Sequence, residues 1–176
     1  IHWIETRCIG CKTCREVCPE AALSFTDDGV FINRKSCTVC GVCAEECPST
    51  ALELIGDSWQ PRDLLDELLK DRAYFGKSDG GVTLSGGDPA IQASFAAILL
   101  KELKRHGIQT AIDTCGICSD GALELLLPNT DLVLYDIKEI DPEKHKAFTG
   151  NSISTVLENL RLICKHMDSH NGSGRL

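Results

Sequence analysis

Two hydrophobic rhythms divide the chain. In the first fifty-odd residues the apolar runs are short: Leu23-Ser-Phe25-Thr and Val30-Phe31-Ile32 alternate on either side of Asp27-Asp28-Gly29. Period-two alternation around such a turn predicts a β-hairpin. From residue 58 the spacing lengthens. Leu64, Leu65, Leu68 and Leu69 recur at helical intervals over 61–74, with Ser58 or Asp57 as the cap and Gly80-Gly81 as the breaker. Residues 82–84 predict a strand running into Gly86-Gly87-Asp88-Pro89. A second helix is expected over 90–106, with Ile91, Phe95, Ile98, Leu99 and Leu103 on one face and Gly107 at its end. A strand over 108–112 leads into Asp113-Thr114, and a short helix over 121–127 stops at Pro128. A strand over 132–135 leads into Asp136-Ile137-Lys138, helices follow over 142–148 and 154–166, and a frayed polar tail is expected from Asp168.

Helix and strand in alternation imply a parallel sheet, and such sheets bind ligands at the carboxyl ends of their strands. Ser85-Gly86-Gly87-Asp88, Asp113-Thr114 and Asp136-Ile137-Lys138 all fall at such ends. Each acid taken singly is also what a helix cap requires. Three polar clusters at three successive strand ends point to a site.

Composition narrows the class. With 176 residues, 43% apolar and 25% charged, the chain is neither disordered, collagenous nor a coiled coil. No apolar run approaches the ~20 residues of a membrane span. The net charge of -8 argues against a nucleic-acid partner. The unusual number is cysteine, 11 in all, eight of them within the first 47 residues. That shift places a domain boundary near Gly56-Asp57-Ser58, giving domains 1–56 and 57–176.

The first domain repeats itself. Displaced by 29 residues, Cys8-x2-Cys11-x2-Cys14-x3-Cys18-Pro19 falls on Cys37-x2-Cys40-x2-Cys43-x3-Cys47-Pro48. Ala22-Leu23 likewise falls on Ala51-Leu52. Three thiolates so closely spaced suit three corners of an iron–sulfur cube, and the fourth reaches the neighbouring cluster, as in bacterial two-cluster ferredoxins. One [4Fe-4S] cluster is therefore assigned to Cys8, Cys11, Cys14 and Cys47, the other to Cys37, Cys40, Cys43 and Cys18. Zinc has no use for a third cysteine at this spacing, and disulfides between residues three apart are geometrically poor. Cys115, Cys118 and Cys164 read as packed thiols. Ligands that must stay reduced imply a reducing cytoplasm, that of an anaerobe.

Taken with Gly80-Gly-Val-Thr-Leu-Ser-Gly-Gly-Asp-Pro89, these motifs resemble the glycyl-radical-enzyme activating enzymes of the radical S-adenosylmethionine superfamily, in the subgroup with a two-cluster ferredoxin insert. The likeness continues through Ala111-Ile-Asp-Thr-Cys-Gly116, Asp131-Leu-Val-Leu-Tyr-Asp-Ile-Lys138, 141–150 and Leu157-Glu-Asn-Leu160. It implies an α+β ferredoxin-like domain followed by part of an α/β (β/α)6 barrel. It also implies that Ser85, Gly86, Gly87 and Asp88 receive the amino group of S-adenosylmethionine, with Asp88 one methylene shorter than the family's usual Glu. Asp136 and Lys138 would stand near the cofactor. Asp113, Thr114, the Leu134 carbonyl and Asp136 would hold Na⁺ or K⁺ beside its carboxylate. The implied activity is reductive cleavage of S-adenosylmethionine, whose 5′-deoxyadenosyl radical abstracts hydrogen from a glycine of a glycyl-radical enzyme, with flavodoxin or ferredoxin as electron donor.

The family's catalytic C-x3-C-x2-C motif, which binds a third [4Fe-4S] cluster, has no counterpart in the 176 residues. Three strands also fall short of a six-stranded barrel. The expectation is a fragment cut after the catalytic loop, truncated at both ends of the barrel and inactive alone. The alternative is an electron-transfer module fused to a barrel remnant, which would not need Gly86, Gly87, Asp113, Asp136 and Lys138 together.

Overall fold

The structure is a computed structural model and describes residues 1–170. It divides into two compact units, Ile1–Ser58 and Trp59–Leu176. In the first unit, β1 (His2–Trp3) pairs antiparallel with β4 (Leu52–Glu53), and β2 (Leu23–Thr26) pairs with β3 (Gly29–Ile32). The predicted hairpin is present, with Thr26 opposite Gly29. The β1–β4 pair and two single-turn helices, α1 (Thr13–Glu16) and α2 (Val42–Glu45), were not anticipated. Their sequences are too short to carry a period.

The 29-residue repeat extends to the backbone. Left-handed φ values occur at Gly10 and Val39, at Lys12 and Gly41, and at Ala21 and Thr50, three pairs each 29 apart. Non-glycine residues enter this region at a cost of roughly 1 kcal/mol or more and persist where their surroundings demand it. Left-handed residues paired at matching places, both of them non-glycine at Ala21 and Thr50, mark a loop shape imposed twice.

The second unit holds a parallel three-stranded sheet, β5 (Gly81–Leu84), β6 (Gln109–Thr114) and β7 (Leu132–Tyr135), in sequence order. Alternation gives the sheet two faces. Leu84, Ile112, Val133 and Tyr135 pack against α5 (Ala93–Arg105), α6 (Asp120–Leu126) and α8 (Ile153–His170) around Ala96, Leu100, Leu123, Leu126 and Ile163. Thr83, Ala111, Asp113, Leu132 and Leu134 have the opposite parity, and Leu134 is 45% exposed. This second face is the open one among the described residues.

Several predicted elements differ in detail. The helix expected over 61–74 is α3 (Pro61–Leu68), a 3-10 turn and α4 (Arg72–Ser78). Its N-cap is Gln60 without a side-chain bond, and Pro61 at the first position supplies the start in place of Asp57 or Ser58. Asp79 in the left-handed region ends α4, so Gly81 opens β5 where it was expected to break a helix. The helix over 90–106 begins as a 3-10 turn, Pro89–Gln92, which rotates the early residues off the buried stripe. Ile91 is 80% and Ile98 52% exposed, and Ala96 and Leu100 are buried instead. Residues expected to fray from Asp168 continue α8 to His170, and the rest of that tail lies outside the described residues. Helix α7 spans Pro142–Thr149. Among the described residues no helix is long and apolar enough to cross a membrane.

The amino-end edge of the sheet is tied by Asp131. It accepts from Thr110 N at 3.0 Å and Thr110 Oγ1 at 3.1 Å and pairs with Lys104 of α5. Burial alone would raise its carboxyl, but the bonds from Lys104 and Thr110 outweigh that and hold it below the ordinary 3.8. A depressed folded value means the stabilisation is present above the unfolded value and is lost as pH falls through the folded one. Asp131→Asn should cost about 1–2 kcal/mol at neutral pH in urea unfolding. That difference should shrink below the ordinary carboxylate range. A constant difference down to strongly acid pH would contradict the assignment.

Candidate functional site

Two hollows in the first unit gather the eight cysteines of the repeat. One is lined by Cys8, Cys11, Cys14 and Cys47. The other is lined by Cys18, Cys37, Cys40 and Cys43. Each hollow therefore takes three cysteines from one copy of the repeat and the last from the other copy. The single-turn helices explain how. Each starts at a left-handed residue, Lys12 or Gly41, which turns the loop so that its thiols face one space. The turn buries Cys14 and Cys43, and burial pushes both thiols above their ordinary value. The fourth cysteines are held alike: Cys18 Sγ accepts from Ala22 N at 3.3 Å and Cys47 Sγ from Ala51 N at 3.2 Å. Thr13 Oγ1 donates to Cys11 Sγ at 3.4 Å and lowers that thiol. Donors aimed at sulfur favour the thiolate that iron requires. Among the described residues no three His, Cys, Asp or Glu side chains are grouped to hold a single metal ion. Four thiols lining one hollow, three of them from a C-x2-C-x2-C run, fit a cluster better than one zinc.

The second constellation lies at the carboxyl edge of the sheet. Ser85 Oγ donates to Asp113 Oδ2 at 2.9 Å, linking the ends of β5 and β6. Lys138 pairs with Asp136 just past β7. Its ammonium is held above its ordinary value first by the hydrogen bond to Asp136, then by that residue's charge, with smaller contributions from Cys115 and Asp113. Asp113, Leu134 and Asp136 share the parity of the open face. Neither Asp113 nor Asp136 caps a helix. The Thr114 carbonyl, expected to aim at a cation, accepts the Asp136 N–H at 3.0 Å and so continues the strand pairing.

Asp88 has a different task. It caps the turn Pro89–Gln92 through Ala90 N at 3.0 Å. Its other oxygen accepts from Thr114 Oγ1 at 2.7 Å, Cys115 N at 2.9 Å and Cys115 Sγ at 3.3 Å. Four donors leave this carboxylate a brace between the glycine loop and β6. The loop itself is exposed at Ser85, Gly86 and Gly87, and Gly86 has φ +112°, which side chains rarely adopt.

Behind the site, Asn159 on α8 is 2% exposed and donates to Gly116 O at 2.8 Å and Cys118 O at 3.0 Å. Tyr135 Oη donates to Val156 O at 2.6 Å. Burial pushes the Tyr135 hydroxyl to about 12 and the Cys118 thiol to about 11, so both stay protonated. Sequence reading gave Cys118 a packing role and assigned none to Asn159 or Tyr135. The available signal was an amide on the buried stripe of a helix, between Val156 and Ile163.

Known proteins agree in kind. The family model described as Radical SAM superfamily matches residues 33–174, and the 4Fe-4S dicluster domain matches residues 7–51. The chain is 40% identical over 160 residues to the trans-4-hydroxy-L-proline dehydratase activating enzyme of Clostridioides difficile, covering 90% of this chain and 53% of that protein. It is 40% identical over 161 residues to the (2S)-3-sulfopropanediol dehydratase activating enzyme of Klebsiella oxytoca, covering 89% and 51%. It is 37% identical over 168 residues to the benzylsuccinate synthase activating enzyme of Thauera aromatica, covering 92% and 51%. A solved domain of pyruvate-formate lyase-activating enzyme from Bacteroides vulgatus ATCC 8482 is 30% identical with a TM-score of 0.45, over 49% of this chain and 53% of that one. The chain spans about half the length of the curated relatives it matches.

Proposed function

Since the chain belongs to the radical S-adenosylmethionine superfamily, we propose that it works in an enzyme that installs a glycyl radical on a partner enzyme. The observation that carries this reading is the meeting of two features in one chain. Ser85 bonds Asp113 at the ends of β5 and β6 and Lys138 pairs with Asp136 just past β7, all at the carboxyl edge of one sheet, and the same chain carries two four-cysteine hollows. When bound, the clusters supply single electrons and S-adenosylmethionine supplies, on reductive cleavage, the radical that takes a hydrogen from a glycine Cα.

The chain's own residues bind and orient. Cys8, Cys11, Cys14 and Cys47 would hold one [4Fe-4S] cluster, and Cys18, Cys37, Cys40 and Cys43 the second. The backbone of Ser85, Gly86 and Gly87 would receive the cofactor's amino group, and Asp88 keeps that loop against β6. Lys138 would face the cofactor's carboxylate, as an ammonium suits. Asp113, Asp136 and the Leu134 carbonyl would hold Na⁺ or K⁺, oxygen donors being what such a cation takes. The electron donor would be a flavodoxin or ferredoxin, in a reducing cytoplasm. The domain division at 56/57, part of a (β/α)6 barrel after it and a third cluster held outside this chain belong to the same reading.

Two tests follow from the residues. The dithionite-reduced chain, which has no C-x3-C-x2-C, should release no 5′-deoxyadenosine from S-adenosylmethionine above background. Release by this chain would overturn the cysteine assignment. Binding of S-adenosylmethionine, read by equilibrium dialysis, should survive and weaken roughly tenfold in Lys138→Ala, the loss of one charged hydrogen bond. For the activity itself, this chain can replace the matched segment of the Clostridioides difficile activating enzyme. A glycyl radical appearing by EPR on that relative's dehydratase supports the function. A chimera that holds its clusters and cofactor but leaves the dehydratase without a radical counts against it.

A further inference from the structure

The two hollows occupy matching positions of the repeat, so each serves as the other's control. Cys8, Cys11, Cys14, Cys47, Pro48 and Leu52 of the first correspond, 29 residues apart, to Cys37, Cys40, Cys43, Cys18, Pro19 and Leu23 of the second. Where the linings differ, charge and hydrogen bonding differ. Lys12 lines the first hollow and Gly41 the second. Ser49 lines the first and Glu20 the second, and Ile9 stands against Thr38. The hydroxyls favour the first hollow as well: Ser49 Oγ lies 3.8 Å from Cys47 Sγ and Thr13 Oγ1 donates to Cys11 Sγ at 3.4 Å.

Trp3 lines the first hollow alone, and residue 29 positions on, Ile32, has no donor. Among the described residues, Trp3 Nε1 is the buried side-chain polar atom without a hydrogen-bond partner. Native proteins leave few such groups, and each calls for an acceptor. The ring edge is also held close by the hairpin. A Cβ on Gly29 would stand 2.1 Å from Trp3 Cη2, so the hairpin backbone already presses on the ring. Lys12 is placed as well, its Nζ 5.9 Å from the centroid of Phe25, another residue of the same lining.

We propose that the chain makes its two clusters electronically unequal. The cluster of Cys8, Cys11, Cys14 and Cys47 is the more readily reduced, because Trp3 Nε1–H and Lys12 stabilise its added electron while Glu20 opposes reduction of the other. Hydrogen bonds to sulfur and local charge are the means by which a protein sets such potentials. An electron accepted from a one-electron donor would then rest on the first cluster at equilibrium, which gives the pair a direction. The inference rests on the two-cluster reading above.

The test is an anaerobic redox titration of the reconstituted 176-residue chain, followed by EPR, with iron and sulfide counted on every sample. Cys40→Ala leaves the first cluster and Cys11→Ala the second. At any one potential the first should show a reduced-to-oxidised ratio at least tenfold higher, about 59 mV for a one-electron couple. Trp3→Phe should lower that ratio for the first cluster by about threefold, the scale of one hydrogen bond, and leave the second unmoved. Lys12→Gln should act in the same sense, and Glu20→Gln should raise the second cluster alone. These two exposed positions carry the test if Trp3→Phe fails to fold. Reduced-to-oxidised ratios that differ by less than tenfold at one potential, or stand in the reverse order, overturn the proposal while the iron count upholds two clusters. An unaltered chain that takes up fewer than two clusters overturns the two-cluster reading, and this inference with it.

Discussion

Cys18→Ala should empty the hollow of Cys37, Cys40 and Cys43, not the hollow of the run in which Cys18 itself stands. The reconstituted chain should carry roughly eight irons and eight sulfides, and any single ligand substitution should halve that. Pairs of substitutions read the crossing directly. Cys18→Ala with Cys40→Ala removes two ligands of one cluster and should keep about four irons. Cys18→Ala with Cys11→Ala removes one ligand from each and should keep close to none. An uncrossed arrangement reverses the two results. The physical basis is the lining of the hollows, Cys18 with Cys37, Cys40 and Cys43, and Cys47 with Cys8, Cys11 and Cys14. Cys115→Ala should leave the iron count unchanged, since its thiol is occupied by Asp88 at 3.3 Å. Tightly bound zinc in place of iron would contradict the whole assignment.

Gly116→Ala should be the most damaging small substitution in the second unit. Gly116 has φ +71°, and a Cβ there would stand 1.7 Å from Tyr135 Oη. The hydroxyl cannot yield freely, because it donates to Val156 O at 2.6 Å and so helps to seat α8 on the sheet. The carbonyl of the same glycine is held by buried Asn159. The left-handed conformation costs about 1 kcal/mol for alanine. Displacing the tyrosine and straining its neighbours brings the expected loss to about 3–4 kcal/mol. Urea unfolding of the variant checks this, and a loss under about 1 kcal/mol would contradict it. Tyr135→Phe in the same background should restore part of the loss only, because the ring carbon Cζ would still lie 2.4 Å from the new methyl. The ferredoxin-like unit should keep its clusters in both variants.

The legible part of the second unit was the part driven by period. Strand 132–135 was read to the residue, and α7 within one. The misread parts are those where tertiary context replaces a local signal. Ile91 and Ile98 fit a helical stripe that starts at residue 90, but the turn made by Pro89 and capped by Asp88 shifts the phase. The break between α3 and α4 follows no glycine or proline and had no sequence mark.

By itself the sequence determined the cysteine runs, their 29-residue repeat and the three polar strand ends, because these are matters of residue type and spacing along one chain. The crossed grouping was itself read from the spacing; how the chain achieves it was not, since loop backbones turned by left-handed Lys12 and Gly41 set Cys47 in the hollow of Cys8 and Cys18 in that of Cys37. The same holds at the sheet edge. The five acids and hydroxyls at strand ends look alike in sequence. Strand register and parity set Ser85 against Asp113 and leave Asp136 to Lys138 on the open face. They turn Asp88 inward, where Ala90, Thr114 and Cys115 satisfy it, because a buried donor left without an acceptor costs more than a solvated carboxylate gains by reaching outward.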